Sequence, residues 1–484
     1  MYLHRFKARL SALFILFGFA VPGLANTNLD LPDLGDAGLA SMNPAQEYRT
    51  GATVVRNLRR AGLIIDDPLL TDYLNQLGYK LISHHDHNQQ SQFQFFLVND
   101  GSINAFALPG GFIGIHYGLF RETESESELA SVIAHEIAHV TQRHYARAFN
   151  ANSASELPVL AALIAAIVLG SQGSDLGQAA LASVAASQAQ SQINFTRQNE
   201  YEADRIGIGI LSRAGYEPEK MADFFDKLER ESRLHGINVP EFLRTHPVNE
   251  NRIADARNRA RLVQKSTPPD SLSYHLMRQR IVALASKDKK FSEQQYRDDL
   301  SRLKGNALIA ARYGYALNLM RQEKYAAAEQ EIADLLKQHP QRIALLLARA
   351  EIAYRSGQIE NALSTYKHAL TLYPDNASII YDYAEVLLRT KQFVKAEQLL
   401  GEFLKKPPRN PMFYKFLAQT KAALNQPAQS HEALAEYYYQ IGQFHQAIDQ
   451  LNLALKSSSA DFYTTSRLEA RLTHIKEEIP REQK

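Results

Sequence analysis

The chain of 484 residues contains no cysteine, and this absence excludes several kinds of function. Disulfide bonds, thiol catalysis, cysteine-ligated zinc and a lipid-modified N-terminal cysteine are all ruled out. An excess of charge of one sign is also missing, because 54 basic and 52 acidic residues leave a formal net charge of +2. Such a balance indicates no strong preference for polyanions, and we expect no nucleic-acid partner.

Long hydrophobic runs are also scarce. Beyond the N-terminus no apolar run reaches the length of about 18 residues that a transmembrane helix requires. The N-terminus has a basic start, an apolar run from Leu10 to Val21, and small residues at Gly23 and Ala25. This pattern predicts a signal peptide, residues 1–25, that is cleaved after Ala25 on export. An uncleaved membrane anchor is the alternative, but the run is short and ends in Pro-Gly.

Hydrophobic periodicity divides the rest of the chain into two predicted domains, residues 26–268 and residues 269–484. In the first, residues 67–83 and 123–148 have the pattern of helices, whereas residues 93–98 and 112–117 have the pattern of strands. Ser125 and Glu128 form a potential capping box for the second helix. The predicted fold is mainly α, with a small sheet in an α+β first domain.

An uncharged apolar segment, residues 158–170, is too short to cross a membrane. Two interpretations stay open for it and for the Ala-, Gly- and Ser-rich residues that follow. They form either a buried helical hairpin or a mobile cover that contacts a membrane surface beside the active site.

The second predicted domain has a repeat. Prolines recur at intervals of 34 residues, at Pro340, Pro374 and Pro408. Small residues precede each proline at two fixed positions: Ala316, Ala350 and Ala384 at the first, and Ala328, Ala362 and Ala396 at the second. Small residues let paired helices approach closely, and this period is typical of tetratricopeptide repeats. We therefore expect an α-helical solenoid, with one helix shortened around Pro427.

The sequence "HEIAH" carries the chemistry of the first domain. On a helix, His135 and His139 lie about 40° apart around the axis, so both imidazoles project in the same direction. Two imidazole nitrogens can then bind one zinc ion. Glu136 lies beside that face and can take the proton from a zinc-bound water.

The third zinc ligand can come from the same segment or from a later helix. In the first case the third ligand would follow the pattern H-E-x-x-H-x-x-G-x-x-H, in which the last histidine lies one residue beyond the position of His144. His144 also points away from His135, which indicates a structural or surface role. In the second case Glu200 and Asp204 share one face of a helix in "NEYEADRIG". Glu200 can reach the metal, and Asp204 can accept a hydrogen bond from a ligand imidazole. We interpret Glu202, between them, as a solvent-facing charge.

Four motifs occur in an order typical of one group of zinc peptidases: "NAFALPGGFIGIHYGLF" (104–120), "HEIAH" (135–139), "NEYEADRIG" (199–207) and "THPVNENRI" (245–253). With them the chain resembles the gluzincin metallopeptidase family that includes HtpX and the CAAX prenyl endopeptidases. The resemblance implies one zinc ion per chain and a general base, Glu136. It also implies three zinc ligands with Asp204 behind them: His135, His139 and Glu200.

The resemblance further implies a substrate-binding edge strand within residues 103–117. An extended peptide would pair there through its backbone, which reads few side chains and gives loose specificity. The residues implied in this edge and its bend are Asn104, Ala105, Phe106, Gly110 and Gly111.

His246, in the "THP" part of the fourth motif, is either a buried structural histidine or has one of two functional roles. It can donate a hydrogen bond to the oxyanion of the tetrahedral intermediate. Alternatively it can bind zinc as a fourth ligand and keep the resting enzyme inactive, which we favour because a protease of loose specificity endangers its neighbours. Arg252 is expected to orient this loop or the oxyanion. Arg143 either lines the cleft or lies on a solvated helix face.

Export signal, peptidase motifs and repeats together are similar to periplasmic members of this family that act in outer-membrane β-barrel assembly. This similarity implies a zinc-dependent endopeptidase, with chaperone-like activity, that hydrolyses misassembled clients. The implied partners are the β-barrel assembly machinery and its clients, including the lipopolysaccharide translocon, with possible membrane contact through residues 158–170. The alternative is mainly a repeat-based chaperone or scaffold for that machinery, with a largely latent peptidase site.

Overall fold

A computed structural model describes residues 43–85, 92–145, 197–235, 240–263, 271–285, 289–405, 410–457 and 462–479. The predicted signal peptide and the apolar segment 158–170 lie outside these residues. As the sequence predicts, the described chain is mainly helical, with one small sheet. None of its described helices combines the length and the hydrophobicity needed to cross a lipid bilayer.

The first part of the chain contains two described helices and all four described strands. In order they are α1 (Pro44–Arg60), β1 (Ile64–Ile65), α2 (Pro68–Ile82), β2 (Gln94–Val98), β3 (Ala105–Leu108) and β4 (Phe112–His116). α2 begins where Asp67 accepts a hydrogen bond from the amide of Leu70, with Pro68 at the first helical position. The predicted helix and both predicted strands of this region are therefore confirmed.

The strand order of the sheet is β1-β2-β4-β3. β2 runs parallel to β4, and β3 is antiparallel to β4 with Ala105 opposite Ile115. Gly110 and Gly111 connect β3 to β4 with φ of 78° and 89°, a conformation that residues with a Cβ rarely adopt. β3 thus lies at an edge of the sheet, whereas β4 is internal.

Both faces of the sheet are covered by helices, so β2, β3 and β4 bury side chains on two sides. Phe96, Val98 and Phe112 pack against α1 on one face. On the other face Ala105 and Ala107 join the core that contains α2 and the helix of the H-E-x-x-H motif. These two small side chains allow that helix to pack closely over β3.

Two helices follow the sheet, α3 (Tyr117–Glu122) and α4 (Glu126–Thr141). Ser125 caps α4 by accepting from the amide of Glu128, whose carboxylate accepts from the amide of Glu124. The predicted end of α4 at residue 148 is wrong. Arg143 adopts a left-handed φ of 50°, which stops the helix, and its guanidinium pairs with Glu47 of α1 at 2.7 Å.

Four further described helices belong to the part that carries the site: α5 (Arg197–Arg213), α6 (Glu219–His235), α7 (Glu241–Thr245) and α8 (Glu250–Leu262). α5 packs along α4, and Gly207 stands at their contact. A Cβ at Gly207 would lie 2.9 Å from the side chain of Met221 and 3.3 Å from the backbone nitrogen of His135. The absence of a side chain there lets the two helices approach.

The repeat region consists of helices, most of which pack against the next helix along the chain. They are α9 (Leu272–Ala285), α10 (Lys289–Arg302), α11 (Gly305–Arg321), α12 (Tyr325–Gln338), α13 (Ile343–Arg355), α14 (Ile359–Leu372), α15 (Ala377–Arg389), α16 (Phe393–Phe403), α17 (Met412–Ala423), α18 (Pro427–Gln440), α19 (Phe444–Ser457) and α20 (Phe462–Glu478). The repeated alanines are buried between the helices, as predicted. The expected shortening around Pro427 is wrong, because this proline occupies the first turn of a full helix.

The repeats fold back onto the first part of the chain. Arg280 of α9 forms a 2.7 Å ion pair with Asp67, and Ser378 of α15 donates to Asp72 of α2 at 2.7 Å. Near the end of the array, the guanidinium of Arg56 in α1 lies over the ring of Tyr439. Helices from both ends of the array therefore contact the helices that flank the sheet.

Candidate active site

One buried cluster brings together four side chains that offer metal-ligating atoms: His135, His139, Glu200 and His246. Nε2 of His139 lies 2.9 Å from Nε2 of His135 and 3.4 Å from Oε1 of Glu200. Nδ1 of His246 lies 3.1 Å from the same Glu200 oxygen. Ligands of a tetrahedral zinc ion stand about 3.3 Å apart, given bonds of about 2.0–2.1 Å. The cluster therefore has the dimensions of a four-ligand metal site.

The elements that hold these side chains differ in kind. His135 and His139 come from successive turns of α4, and Glu200 comes from the first turn of α5. His246 directly follows the short helix α7, where its amide donates to the carbonyl of Phe242 at 2.7 Å. Two helices thus supply three side chains of the cluster, and a short terminal turn supplies the fourth.

Behind the ligands, Asp204 and Arg252 form a buried ionic layer. Oδ1 of Asp204 lies 2.9 Å from Nδ1 of His135, which directs the other ring nitrogen towards the cluster. The guanidinium of Arg252 donates to both oxygens of Asp204 at 2.8 and 2.9 Å. It also contacts Glu200 at 2.8 Å and donates to the carbonyl of Pro247 at 2.9 Å. Arg252 therefore connects two acidic groups with the turn that carries His246.

Glu136 stands beside the ligands with neither carboxylate oxygen in hydrogen-bonding geometry with a described group. It is fully buried, and its Oε1 lies 3.5 Å from Nε2 of His246. Burial raises the pKa of Glu136 above its usual value, and nearby His246 and His135 only partly oppose this. A carboxylate so placed is suited to accept a proton.

The charges of the site fit a divalent cation. The site contains three buried carboxylates, those of Glu136, Glu200 and Asp204, but only one buried guanidinium, that of Arg252, among the described residues. The remaining negative charge is one that a bound divalent ion would neutralise. Two imidazole nitrogens and a carboxylate oxygen are also a donor set that zinc prefers.

Without a cation, the carboxylates act on the histidines. Burial lowers the pKa of His135, but the carboxylates of Asp204 and Glu200 outweigh it and raise the pKa to about 10. Burial and the neighbouring His135 hold the pKa of His139 well below its usual value. Burial would raise the pKa of Glu200, but the surrounding imidazoles hold it well below its usual range.

The edge of β3 runs past this cluster. The amide of His116 donates to the carbonyl of Asn104 at 3.0 Å, which identifies a hydrogen-bonded pair. Because such pairs alternate in antiparallel sheets, the backbone groups of Ala105 and Ala107 point away from β4. Phe106 and the buried Asn104 belong to the same edge. Among the described residues no strand pairs with that side of β3.

The structure thus brings together the ligands, base and Asp204 that the sequence predicts around one point. Arg252 contacts more of the site than the sequence predicts. The only feature of the sequence that points to Arg252 is its place in the fourth motif. The surface alternative for His144 is wrong, because it is fully buried and Nδ1 of His144 lies 2.7 Å from Nδ1 of His139. Glu202, interpreted as a solvent-facing charge, has a quarter of its side chain exposed and also contacts His144 at 3.0 Å.

The described site combines a helical H-E-x-x-H pair, a glutamate on α5 and an adjacent carboxylate base. Together with the tetratricopeptide solenoid, these features define a repeat-bearing metallopeptidase. A sequence profile of peptidase family M48 matches residues 68–260, and tetratricopeptide repeat profiles match residues 313–377 and 353–420.

Similarity to characterised proteins extends over nearly the whole chain. The β-barrel assembly-enhancing protease of Escherichia coli (strain K12) is 34% identical over 460 residues, 95% of this chain and 94% of that protein. The protein of the same name from Yersinia pestis is 34% identical over 95% of this chain and 94% of its own length. The mitochondrial metalloendopeptidase OMA1 of Arabidopsis thaliana is 28% identical over 48% of this chain and 44% of its own length. The chain therefore belongs to the family of β-barrel assembly-enhancing proteases.

Proposed function

We propose that this protein is a periplasmic, zinc-dependent endopeptidase with chaperone-like activity that hydrolyses misassembled outer-membrane β-barrel proteins. The observation that carries the proposal is the buried cluster of two histidines and a glutamate beside the base Glu136 and the edge of β3. Residues 1–25 would be the signal peptide, residues 26–268 the peptidase domain and residues 269–484 the repeat domain.

In the proposed reaction, His135, His139 and Glu200 hold one zinc ion, and Asp204 and Arg252 keep two of these ligands in place. Zinc bound there would polarise the scissile carbonyl and acidify a water molecule. Glu136 accepts the proton of the attacking water and delivers it to the leaving amine. The burial that raises its pKa brings that pKa closer to the operating pH, which favours both proton transfers.

The substrate would bind as an extended strand along the outer edge of β3. Ala105 and Ala107 direct their backbone groups to that side, and the amide of Ala107 also faces Glu136. The scissile bond of a peptide paired there would lie close to the base. The bend at Gly110 and Gly111 ends the edge, and backbone pairing would accept many side chains.

For His246 we propose the inhibitory role. Its Nδ1 lies 3.4 Å from Nε2 of His135 as well as 3.1 Å from Glu200, so it stands as a fourth ligand would. α7, which precedes it, is tied to the chain just before β3, because the amide of Phe242 donates to the carbonyl of Ile103 at 3.0 Å. This turn must move for a peptide and a water molecule to reach the cluster.

The proposed clients follow from the relatives, whose name states a role in β-barrel assembly. Partners would be the β-barrel assembly machinery and its clients, including the lipopolysaccharide translocon, recognised by the repeats. Contact of residues 158–170 with a membrane surface is part of the same proposal. The second candidate, a repeat-based chaperone or scaffold with a largely latent peptidase site, is favoured by the position of His246.

Zinc analysis and casein cleavage by the purified wild type, Glu136→Gln and His246→Ala test the assignment. We expect about one zinc ion per chain in all three. Glu136→Gln should lose at least about 100-fold in cleavage rate, since the general base is gone. His246→Ala should cleave faster than the wild type, because the fourth ligand no longer competes with water.

The matched controls Glu360→Gln and His368→Ala alter exposed side chains of α14 and should behave as the wild type. Cleavage by Glu136→Gln at the wild-type rate would refute the assignment of the base. A loss of about 100-fold in His246→Ala would instead identify His246 as the oxyanion donor. Wild-type outer-membrane integrity in a deletion strain that carries Glu136→Gln would favour the chaperone or scaffold function.

A further inference from the structure

The end of α4 turns a third histidine back towards the metal-ligand cluster. On a continuous helix His144 would lie about 140° around the axis from His139 and could not touch its ring. The left-handed φ of 50° at Arg143 reverses the chain, and the ion pair between Arg143 and Glu47 ties this turn to α1. As a result His144 is fully buried, with its ring centroid 4.7 Å from that of His139.

A continuous line of polar contacts leads from His139 to the protein surface. Nδ1 of His139 lies 2.7 Å from Nδ1 of His144, and Nε2 of His144 lies 3.0 Å from Oε2 of Glu202. Glu202, in α5, has a quarter of its side chain exposed (25%). The line therefore joins α4 and α5, the two helices that supply the three proposed zinc ligands.

The protons in this line have one consistent arrangement. Since Nε2 of His139 faces the cluster as a ligand, its ring proton is on Nδ1 and is donated to His144. Nδ1 of His144 must then be the acceptor, so the proton of His144 is on Nε2 and is donated to the carboxylate of Glu202. Each short contact in the line thereby has one donor and one acceptor.

We propose that His144 and Glu202 are positioning residues that hold His139 in the tautomer and the orientation required for metal binding. Asp204 does this for His135 through a single contact, whereas Glu202 does it for His139 through an intervening imidazole. Outer partners of this kind typically strengthen metal binding by about 10- to 100-fold. The inference rests on the proposed metal site and adds two residues to it that do not touch the substrate.

Competition against a chelating dye measures the affinity of the full chain for Zn²⁺ and for Co²⁺. His144→Leu removes the acceptor for His139, and we expect affinity to fall about 10- to 100-fold. His144→Asn should restore most of it, because its side-chain oxygen can accept the same proton. Glu202→Leu should weaken binding, and Glu202→Gln, which keeps an oxygen acceptor, should not. Glu360→Leu on α14 is the matched control.

NMR spectra of the zinc-loaded protein, labelled with ¹⁵N in its histidines, report the tautomers directly. We expect the Nδ1–H form for His139 and the Nε2–H form for His144, and loss of the fixed His144 form in Glu202→Leu. Because Glu202 lies at the surface, this last variant keeps the test valid if His144→Leu fails to fold.

Two results would overturn only the positioning role of His144 and Glu202: equal metal affinities of the wild type, His144→Leu and Glu202→Leu, or His144 in the Nδ1–H form. A wild-type chain that binds neither ion would instead overturn the proposed metal site, and the positioning role with it. The two failures are therefore distinguishable.

Discussion

Arg252 shows how much of the site depends on a single side chain. Only 2% of this residue is exposed, and its guanidinium pairs with Asp204 and Glu200. The central carbon of the guanidinium, Cζ, lies 4.9 Å from the ring centroid of Phe225. A buried cation with two carboxylates is expensive to desolvate but still more expensive to break, since removal of one partner leaves unpaired buried charge.

Replacement of Arg252 by methionine should therefore destabilise the metal-free protein by about 3–5 kcal/mol. Urea unfolding followed by far-ultraviolet circular dichroism measures this loss. Arg257→Met, on the same helix, is the matched control. Arg257 is 40% exposed and lies 3.8 Å or more from its acidic partners. The free energy of unfolding of Arg257→Met should therefore fall by less than about 1 kcal/mol. Equal losses in the two variants would contradict the proposed importance of the buried ion pairs.

The sequence predicts local relations between residues better than distant ones. His135 and His139, like Glu200 and Asp204, share a helix face because their spacing is one helical turn, and the structure confirms both pairs. The contact of Arg252 with Asp204 depends instead on how α8 packs against α5. No periodicity in a single sequence encodes such a tertiary relation.

At the scale of elements, starts are better predicted than ends. Asp67 and Ser125 mark the beginnings of α2 and α4 as capping residues do. The end of α4 has no glycine or proline to mark it. A left-handed arginine stops the helix, and the glutamate paired with it lies 96 positions earlier in the chain. That stop is what places His144 against His139.

The turn between β3 and β4 gives an element-scale prediction. A Cβ at Gly111 would lie 2.1 Å from the backbone carbonyl oxygen of Gln92, in addition to the strain of its φ of 89°. Gly62, with φ of 73° and no atom within 4 Å of an added Cβ, isolates the strain alone. We expect Gly62→Ala to cost about 1–2 kcal/mol and Gly111→Ala clearly more.

Because Gly111 sets the register of the edge strand, Gly111→Ala should also lose casein cleavage, whereas Gly62→Ala should retain it. Urea unfolding and the cleavage assay of both variants check these expectations. Full activity in a folded Gly111→Ala protein would show that the bend does not position the substrate edge.

At the scale of the whole molecule, the repeat period predicts the helices but not their placement. The buried alanines follow from the 34-residue interval, since they lie where paired helices meet. The contacts of α9 and α15 with α2, and of α1 with Tyr439, join segments far apart in the sequence. They depend on the curvature of the solenoid, which arises from small rotations between successive repeats.

Asp382 of α15, near this junction, makes stability depend on pH. Burial raises the pKa of its carboxyl to about 8; Arg280 opposes the shift, but Glu351, Asp67 and Glu385 add to it. Between about pH 4, the usual pKa of an aspartate, and pH 8, the folded chain holds a proton that the unfolded chain has lost. The free energy of unfolding therefore falls as pH rises through this interval and levels off above it.

Replacement of Asp382 by asparagine removes that dependence. Relative to the wild type, the thermal midpoint of Asp382→Asn should be little changed near pH 4.5 and clearly higher at pH 8.5. Thermal unfolding at a series of pH values measures the difference, with the exposed Asp375→Asn as the matched control. A difference that stays constant with pH, or a variant that is less stable at pH 8.5, would show that the carboxyl of Asp382 is ionised without penalty in the folded protein.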